Sequence, residues 1–383
     1  MAFYNLVFNQ FLSLMPRQIF SKIANAYGPK REPRKFSLWE QFVYLLYFQI
    51  TERKSLRACI RNMNSSFNSL YHLGVKPVAR STFSDANNKR PYQFFAELFK
   101  ELCQRCSSVQ PKNKQFHKLF SLDSSTINMT KSLFRWADFR TSKSGIKLHV
   151  LLSHDAYLPA DVQITKAKIH DIQIAKKLSF EPGSIVVFDR GYNDYSWFYR
   201  LTKEKVYFVT RLKKNAKFST IEHVPLEKSQ RSEGVSSDHF IEVQSKKGTY
   251  ILRKIGYRDL KTKKFYYFLT NNFTLSAKEI ADIYKERWQI ELFFKWIKQN
   301  LRIKSFIGRS ENAVFSQIFV ALIAYLLLSY LKFTSKISYS LQAMIQIIQL
   351  NLFTNCSMVA LFIHEQNEQR NKSPNLLPLL KYF

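Results

Sequence analysis

Glu291 lies in the stretch "YKERWQIELFFKWIKQN", Tyr284–Asn300, together with Tyr284, Arg287 and Lys298. A helix turns by roughly 100° per residue, so these four positions fall within about 60° of one another. They form one narrow polar stripe: a carboxylate, two cations and a phenol. A carboxylate can ligate a hard cation, while a guanidinium, an ammonium and a phenol can hold a phosphate. Ile290, Phe293, Phe294, Trp296 and Ile297 cover most of the remaining circumference. That predicts a buried helix, with Glu291 in or beside a cleft. The competing reading is an ordinary Glu–Arg pair on a solvated face. It needs a helix with a polar half, and this one has only a stripe.

Acidic side chains are scarce: the chain of 383 residues holds 28 Asp plus Glu against 59 Lys plus Arg. Asp123 stands in "LFSLDSST", at the end of a short strand, and Asp189 in "IVVFDRGY", immediately after an apolar strand. Functional side chains of open α/β sheets gather at strand ends. If the two strands are neighbours, the two carboxylates sit together, and Glu291 can pack against the same edge. Such carboxylates repel one another unless a cation neutralises them, and the natural cation is magnesium (Mg2+) or manganese (Mn2+). An Asp after a strand also serves as a helix cap. Asp155, Asp161, Asp171 and Asp194 are therefore rivals, with Asp171 read as a cap and Asp194 as a turn residue.

The net charge of +31 points to a polyanionic partner, with nucleic acid first. The charge is spread over "KPVARSTFSDANNKRP", "RLKKNAK", "SKKG" and "KTKK", a track rather than a tail. Arg190, beside Asp189, and Arg211 and Lys213 in "RLKKNAK" are candidate DNA contacts. Three carboxylates in so basic a chain fit phosphoryl transfer on nucleic acid. There, two metal ions about 4 Å apart activate a water or a 3′ hydroxyl and stabilise the leaving oxygen. Most of the 34 Phe and 20 Tyr are core, and exposed rings can stack on bases.

Cys59, Cys103, Cys106 and Cys356 do not make a disulfide framework in a chain this long. The lone CxxC of Cys103 and Cys106 lacks further metal ligands and reads as two half-buried thiols on a helix. "AVFSQIFVALIAYLLLSYL", 313–331, is long enough to span a bilayer but carries Ser316, Gln317, Tyr325, Ser329 and Tyr330. It reads as a buried core helix of a reduced, soluble, cytoplasmic protein without a membrane partner. No signal peptide opens the chain.

The elements that must position these residues follow from periodicity. Residues 1–105 read as a helical domain. Ser81, Asn87, Asn88, Lys89 and Arg90 lie near a turn there, which leaves a helix-turn-helix DNA reader and a basic helical bundle both open. Residues 106–333 read as an α/β domain with a mixed sheet: a strand at "HKLFSLDSSTI", a strand pair at "GIKLHVLLSHD" and "LPADVQITKAK", then alternating helix and strand. A basic, strand-like insertion at about 213–270 interrupts it. "SAKEIADIYKERWQIELFFKWIKQNL" then reads as one long helix opened by a Ser276–Glu279 capping box. Residues 334–383 add further helices and a polar tail.

The spacing Tyr284, Arg287, Glu291, Lys298 resembles the Y-R-E-K signature of bacterial insertion-sequence-4-type transposases. "LDSSTI" and "FDRGY" are similar to the segments that carry the two Asp of that family's DDE triad. The resemblance runs over roughly 117–333. It implies a ribonuclease H-like core with a β-rich insertion, and cut-and-paste movement of a DNA element. It implies metal binding by Asp123, Asp189 and Glu291, and DNA contacts near the cleavage point by Tyr284, Arg287 and Lys298. The partners it implies are the element's terminal inverted repeats, target DNA and a second copy of the chain in the DNA complex, on the bacterial nucleoid. A metal-dependent nuclease without strand transfer, or a non-catalytic DNA-binding derivative, are the alternative functions. Some relatives hold a flipped base with a Trp of the insertion. Residues 213–287 here contain no Trp, and Tyr250, Tyr266 or Tyr267 are the rings that could stack instead.

Overall fold

Ile185–Phe188, an apolar run, forms the central strand of the sheet (β5 in chain order). A parallel strand covered on both faces reads as continuous apolar rather than alternating sequence. In the computed structural model, which describes residues 5–29, 35–112, 118–140, 143–213, 215–245 and 248–363, this strand belongs to one of two compact units. The units are Pro111–Trp296, and Met1–Gln110 with Ile297–Phe383.

The first of these is built on a ten-stranded sheet. Its strands are β1 (Leu119–Met129), β2 (Asp138–Arg140), β3 (Lys143–Ser153), β4 (Leu158–Lys166), β5, β6 (Tyr207–Arg211), β7 (Ser219–His223), β8 (Val235–Ser245), β9 (Gly248–Arg258) and β10 (Phe265–Thr270). β4, β3 and β1 run antiparallel; β1, β5 and β6 run parallel. This is the mixed, ribonuclease H-like order that the resemblance implies. The insertion is not a separate body. β10 pairs antiparallel with β6, and β9, β8 and β7 continue the same sheet outward.

Alternation along the strands divides the core between two faces. Leu122, Phe188, Phe208 and Leu269 pack on one side with Trp197, Phe198 and Leu201, and Ile241 and Leu252 of the insertion join them. Val187, Val209, Phe268 and Ile255 pack on the other with Ala277, Ile280 and Ile283. Each Val, Leu, Ile or Phe among them contributes about 1.5–3 kcal/mol on burial.

The other unit is helical, with α1 (Val7–Ser13), α2 (Arg17–Tyr27), α3 (Leu38–Thr51), α4 (Leu56–Ser65), α5 (Phe67–Leu73), α6 (Arg80–Lys89) and α7 (Gln93–Val109) before the sheet. The sheet unit contributes α8 (Asp171–Ala175), α9 (Tyr195–Lys203), α10 (Lys228–Ser232) and α11 (Ala277–Glu286). α12 (Trp288–Asn300), α13 (Glu311–Thr334) and α14 (Leu341–Asn351) follow. α13 is long and apolar enough to cross a membrane, but it is almost wholly buried and packs on α7, α3 and α6. An all-round apolar helix is a core helix in such a setting. Cys106 of α7 is buried against it, with Sγ 3.5 Å from the Leu326 carbonyl. Of the candidate DNA-reading residues near α6, Asn87 and Arg90 point inward. Asn87 accepts from Gln41, and Arg90 donates to Gln41 and to the carbonyls of Phe36 and Ser37. They tie helices together, while Ser81, Asn88 and Lys89 stay exposed.

The long helix expected from Ser276 onward is two helices. The capping box is present, with Ser276 and Glu279 each accepting from the other's backbone N–H. At Arg287 the ladder tightens: Arg287 N donates to Tyr284 O and Ile290 N to Arg287 O, both at 3.2 Å. Three-residue bonds inside a helix mark a local hinge. α12 is also less buried than its apolar count implies. Ile290, Phe293, Phe294 and Ile297 face the core, but Trp288 is 56% and Leu292 43% exposed. Positions four apart share a face, and this pair lies on the exposed one.

Candidate active site

Asp123 and Asp189 are brought together by register. Leu122 of β1 pairs with Phe188 of β5, so the two Asp occupy the next rung of the parallel ladder. β1 is longer than the short strand expected, and Asp123 lies within it where β5 ends rather than at its own end. Its Oδ1 accepts from the Ser124 N–H at 2.7 Å. Asp189 turns its carboxylate onto the following 3₁₀ turn, accepting from the Gly191 N–H at 2.7 Å. A Cβ at Gly191 would lie 2.8 Å from Asp189 Oδ1, so glycine is what lets the carboxylate lie there.

Arg287 closes the arrangement from the helix side. One terminal nitrogen is 3.3 Å from Asp123 Oδ2 and the other 2.6 Å from Glu291 Oε1. The side chains are 15%, 22% and 35% exposed for Arg287, Asp123 and Glu291. Glu291 is thus half-buried. Burial, opposed by the Ser124 N–H and Arg287 but reinforced by Asp189 and Glu291, pushes the Asp123 carboxyl up to about 6. Burial disfavours the Arg287 charge, yet Tyr284, Glu291 and Asp123 together outweigh it and raise its pKa. Among the described residues no three acidic or metal-ligating side chains already converge as a cage. In kind, however, the residues fit a hard divalent ion: three oxygen-donor groups, two of them already sharing one cation, the guanidinium.

The other expected contacts distribute around this centre. Asp189, Arg190, Gly191 and Lys213 border one cavity of about 450 Å³. Arg211, Tyr266, Phe268, Tyr284, Arg287 and Trp288 border another of about 310 Å³. There the Arg211 guanidinium lies over the Tyr266 ring at 5.0 Å, and Tyr284 packs on Phe268 at 4.9 Å. Lys298 lies further along α12, in the part that belongs to the helical unit. Burial and then Lys304 hold its ammonium below the usual range. Of the three candidate stacking rings, Tyr250 is tied into the core through its hydroxyl to the Tyr195 carbonyl at 2.7 Å. Tyr266 lines the second cavity, and Tyr267 is exposed.

Sequence reasoning missed several supporting residues. Asp171 is not the cap of α8; His170 holds that position and Asp171 is the first helical residue. Its carboxylate turns to the sheet, accepting from Ser124 Oγ at 2.8 Å and Lys147 Nζ at 3.0 Å. It therefore anchors the residue next to Asp123. Asp194 is the cap, accepting from the Trp197 N–H at 2.8 Å and pairing with Lys176. Tyr192 is buried beside the same group of acids. Burial first, and then Asp123, Asp171 and Asp189, hold its phenol well above the ordinary range. A buried Ser–His pair also braces β1: Ser121 Oγ is 2.7 Å from His154 Nε2, while His154 Nδ1 lies 3.6 Å from Glu286 Oε2, beyond hydrogen-bond distance. Ser121 and His154 are fully buried, so no substrate reaches them. The bond between them fixes the strand two residues before Asp123.

The sheet therefore sets Asp123, within β1, beside Asp189, just past the end of β5, and Arg287 ties Glu291 of α12 back to Asp123. The chain belongs to the DDE transposases of the insertion-sequence-4 type: the transposase DDE domain matches residues 114–327. Residues 4–76 match a domain of unknown function. The chain is 36% identical over 261 residues to a protein named as a transposase in Sinorhizobium fredii, covering 67% of this chain and 70% of the relative. It is 31% identical over 312 residues to one named for insertion sequence element IS5377 in Geobacillus stearothermophilus, covering 81% and 80%. A third, named for element IS4SA in Synechocystis, is 30% identical over 283 residues, covering 70% and 76%. DDE transposase domains act on DNA and require divalent metal ions.

Proposed function

We propose that this chain binds the ends of its insertion sequence, cleaves the DNA there and joins the freed end to target DNA, with Asp123, Asp189 and Glu291 holding Mg2+ or Mn2+. The observation that carries this reading is the β1–β5 register, which sets Asp123 beside Asp189, together with the Arg287 bridge that ties Glu291 to Asp123. When bound, the metal ions would activate the attacking oxygen and stabilise the leaving one. The protein's own groups do the positioning. Tyr284, Arg287 and Arg211 hold the phosphates beside the acids, Arg190 and Lys213 hold the backbone on the Asp189 side, and Lys298 is a further DNA contact. Residues 1–105 supply a DNA-binding surface through the exposed polar side of α6, and residues 106–333 supply the chemistry, with 334–383 as a C-terminal helical region. Two copies act together on paired inverted repeats, in the bacterial cytoplasm on the nucleoid.

A strand-transfer assay tests this. A duplex from the element's end with a free 3′-OH, supercoiled target and Mg2+ or Mn2+ should give joined product with the intact chain. Asp123→Asn, Asp189→Asn and Glu291→Gln should give none while still shifting the end fragment in a gel. Joining in EDTA, or by any of the three variants at the normal rate, overturns the assignment. Cleavage without joining would leave a nuclease.

A further inference from the structure

We propose that Arg287 holds the metal's place between Asp123 and Glu291 while the protein is free of DNA, and that a DNA phosphate opens those carboxylates to the ion by drawing the guanidinium away. This rests on the metal-site reading above and adds an order of events to it.

The two terminal nitrogens that reach Asp123 and Glu291, at 3.3 and 2.6 Å, belong to one rigid planar group. They therefore hold both carboxylates against one small volume. An ion ligated by both acids must lie in that volume, which the guanidinium now fills. A guanidinium does not leave by losing its proton, so it can only move. It has somewhere to move: Arg287 also borders the 310 Å³ cavity, whose lining sets Arg211, Lys285 and Tyr284 against Asp259 and Asp282, the last paired with Lys278. Its backbone has the means, because the three-residue bonds at 284–287 and 287–290 place Arg287 at the hinge between α11 and α12. A phosphate in that cavity competes for the guanidinium with bidentate hydrogen bonds of its own. The coupling is reciprocal: DNA strengthens metal binding, and metal strengthens DNA binding by the same factor. The free enzyme then carries its acids neutralised in-house and loads metal where DNA is already seated.

The test is Mn2+ binding by titration calorimetry, with electron paramagnetic resonance of the unbound ion, on the full chain at pH 8. It is run with and without duplex DNA from the element's end. Arg287→Gln should bind Mn2+ about tenfold more tightly than the native chain without DNA. Adding DNA should then tighten the native chain by a clearly larger factor than the variant. Arg287→Lys, which keeps a cation but lacks the fixed planar fork, should fall between them, and it carries the test if Arg287→Gln fails to fold by circular dichroism. An Arg287→Gln or Arg287→Lys affinity no higher than native without DNA overturns the proposal, as does an equal DNA effect on native and variant. Asp123→Asn and Glu291→Gln separate the two levels. If they abolish Mn2+ binding while Arg287→Gln and Arg287→Lys leave it unchanged, only the place-holding role falls. If binding ignores both acids, the metal-site reading falls.

Discussion

Arg287 and Asp123 stand 164 residues apart in sequence and 3.3 Å apart in space. This contact joins the hinge between α11 and α12 to the central sheet, and the chemistry of Asp123 depends on it. A carboxyl that is 22% exposed, beside two other acids, is held ionised at neutral pH only against a cost that Arg287 partly offsets.

The first expectation concerns that cost. The folded carboxyl of Asp123 titrates at about 6, above its ordinary 3.8. A raised acid favours the folded state most when protonated, so its ionisation removes stability as pH rises from about 4 through 6. Asp123→Asn should therefore melt higher than the native chain at pH 7.5 without metal, by up to a few kcal/mol. The gain should shrink at pH 4. Calorimetry at both values checks it, and a lower melting point at pH 7.5 would contradict it.

Gly191→Ala should separate chemistry from folding. Its Cβ would stand 2.8 Å from Asp189 Oδ1 and push the carboxylate aside. Misplacing a reacting group by about 1 Å costs on the order of a hundredfold in rate. Gly191 is exposed, so stability should change by less than about 1 kcal/mol. A single-turnover cleavage rate within twofold of native would show that Asp189 needs no such freedom.

The Asp171–Lys147 pair should support Asp123 from behind. Asp171→Ala removes the carboxylate that accepts from both Ser124 Oγ and Lys147 Nζ, and leaves the ammonium only the Ile169 carbonyl at 3.1 Å. It should cost about 1–3 kcal/mol in urea unfolding, since it takes the counter-charge from a partly buried ammonium. Cleavage should fall while affinity for the element's end holds. Replacing both residues, as Lys147→Met with Asp171→Ala, should recover part of the stability but not the rate. Equal losses in single and double variants would speak against the pairing.

His154 sets an opposing pH dependence. Burial lowers its pKa to about 4 from 6.5, so it is neutral in the folded protein. The unfolded chain binds the extra proton between those values, and stability from this group is lost as pH falls through that window. His154→Gln should lose its hydrogen bond with Ser121 and be less stable at pH 7.5. The deficit should narrow by about 2 kcal/mol or less at pH 5. A constant deficit across the range would mean that folding leaves the pKa of His154 unshifted.

Much of the arrangement was legible because apolar continuity and acid scarcity are local signals. "IVVF" before Asp189 marks a central parallel strand, and a lone Asp in "LFSLDSST" marks its neighbour. The Tyr284–Arg287–Glu291 spacing survives because positions three and four apart touch whichever way the helix later bends. The hinge at Arg287 was not legible, since no Pro or Gly announces it and the tightened bonding is seen only in the backbone. Asp171 was misread because an acid opening a helix looks the same whether it caps the helix or reaches across to Lys147. The exposure of Trp288 and Leu292 was hidden for a related reason: apolar count predicts burial, but only packing decides which apolar face is covered.

The pairing of β10 with β6 has a consequence for the chain between them. The chain leaves the central sheet after Arg211 and re-enters at Phe265 one strand away, with Phe268 opposite Arg211. Adjacent strands lie about 4.8 Å apart. Whatever is written between those two points, the return address is the same. The excursion can therefore change in length or sequence without moving the point at which β10 meets β6.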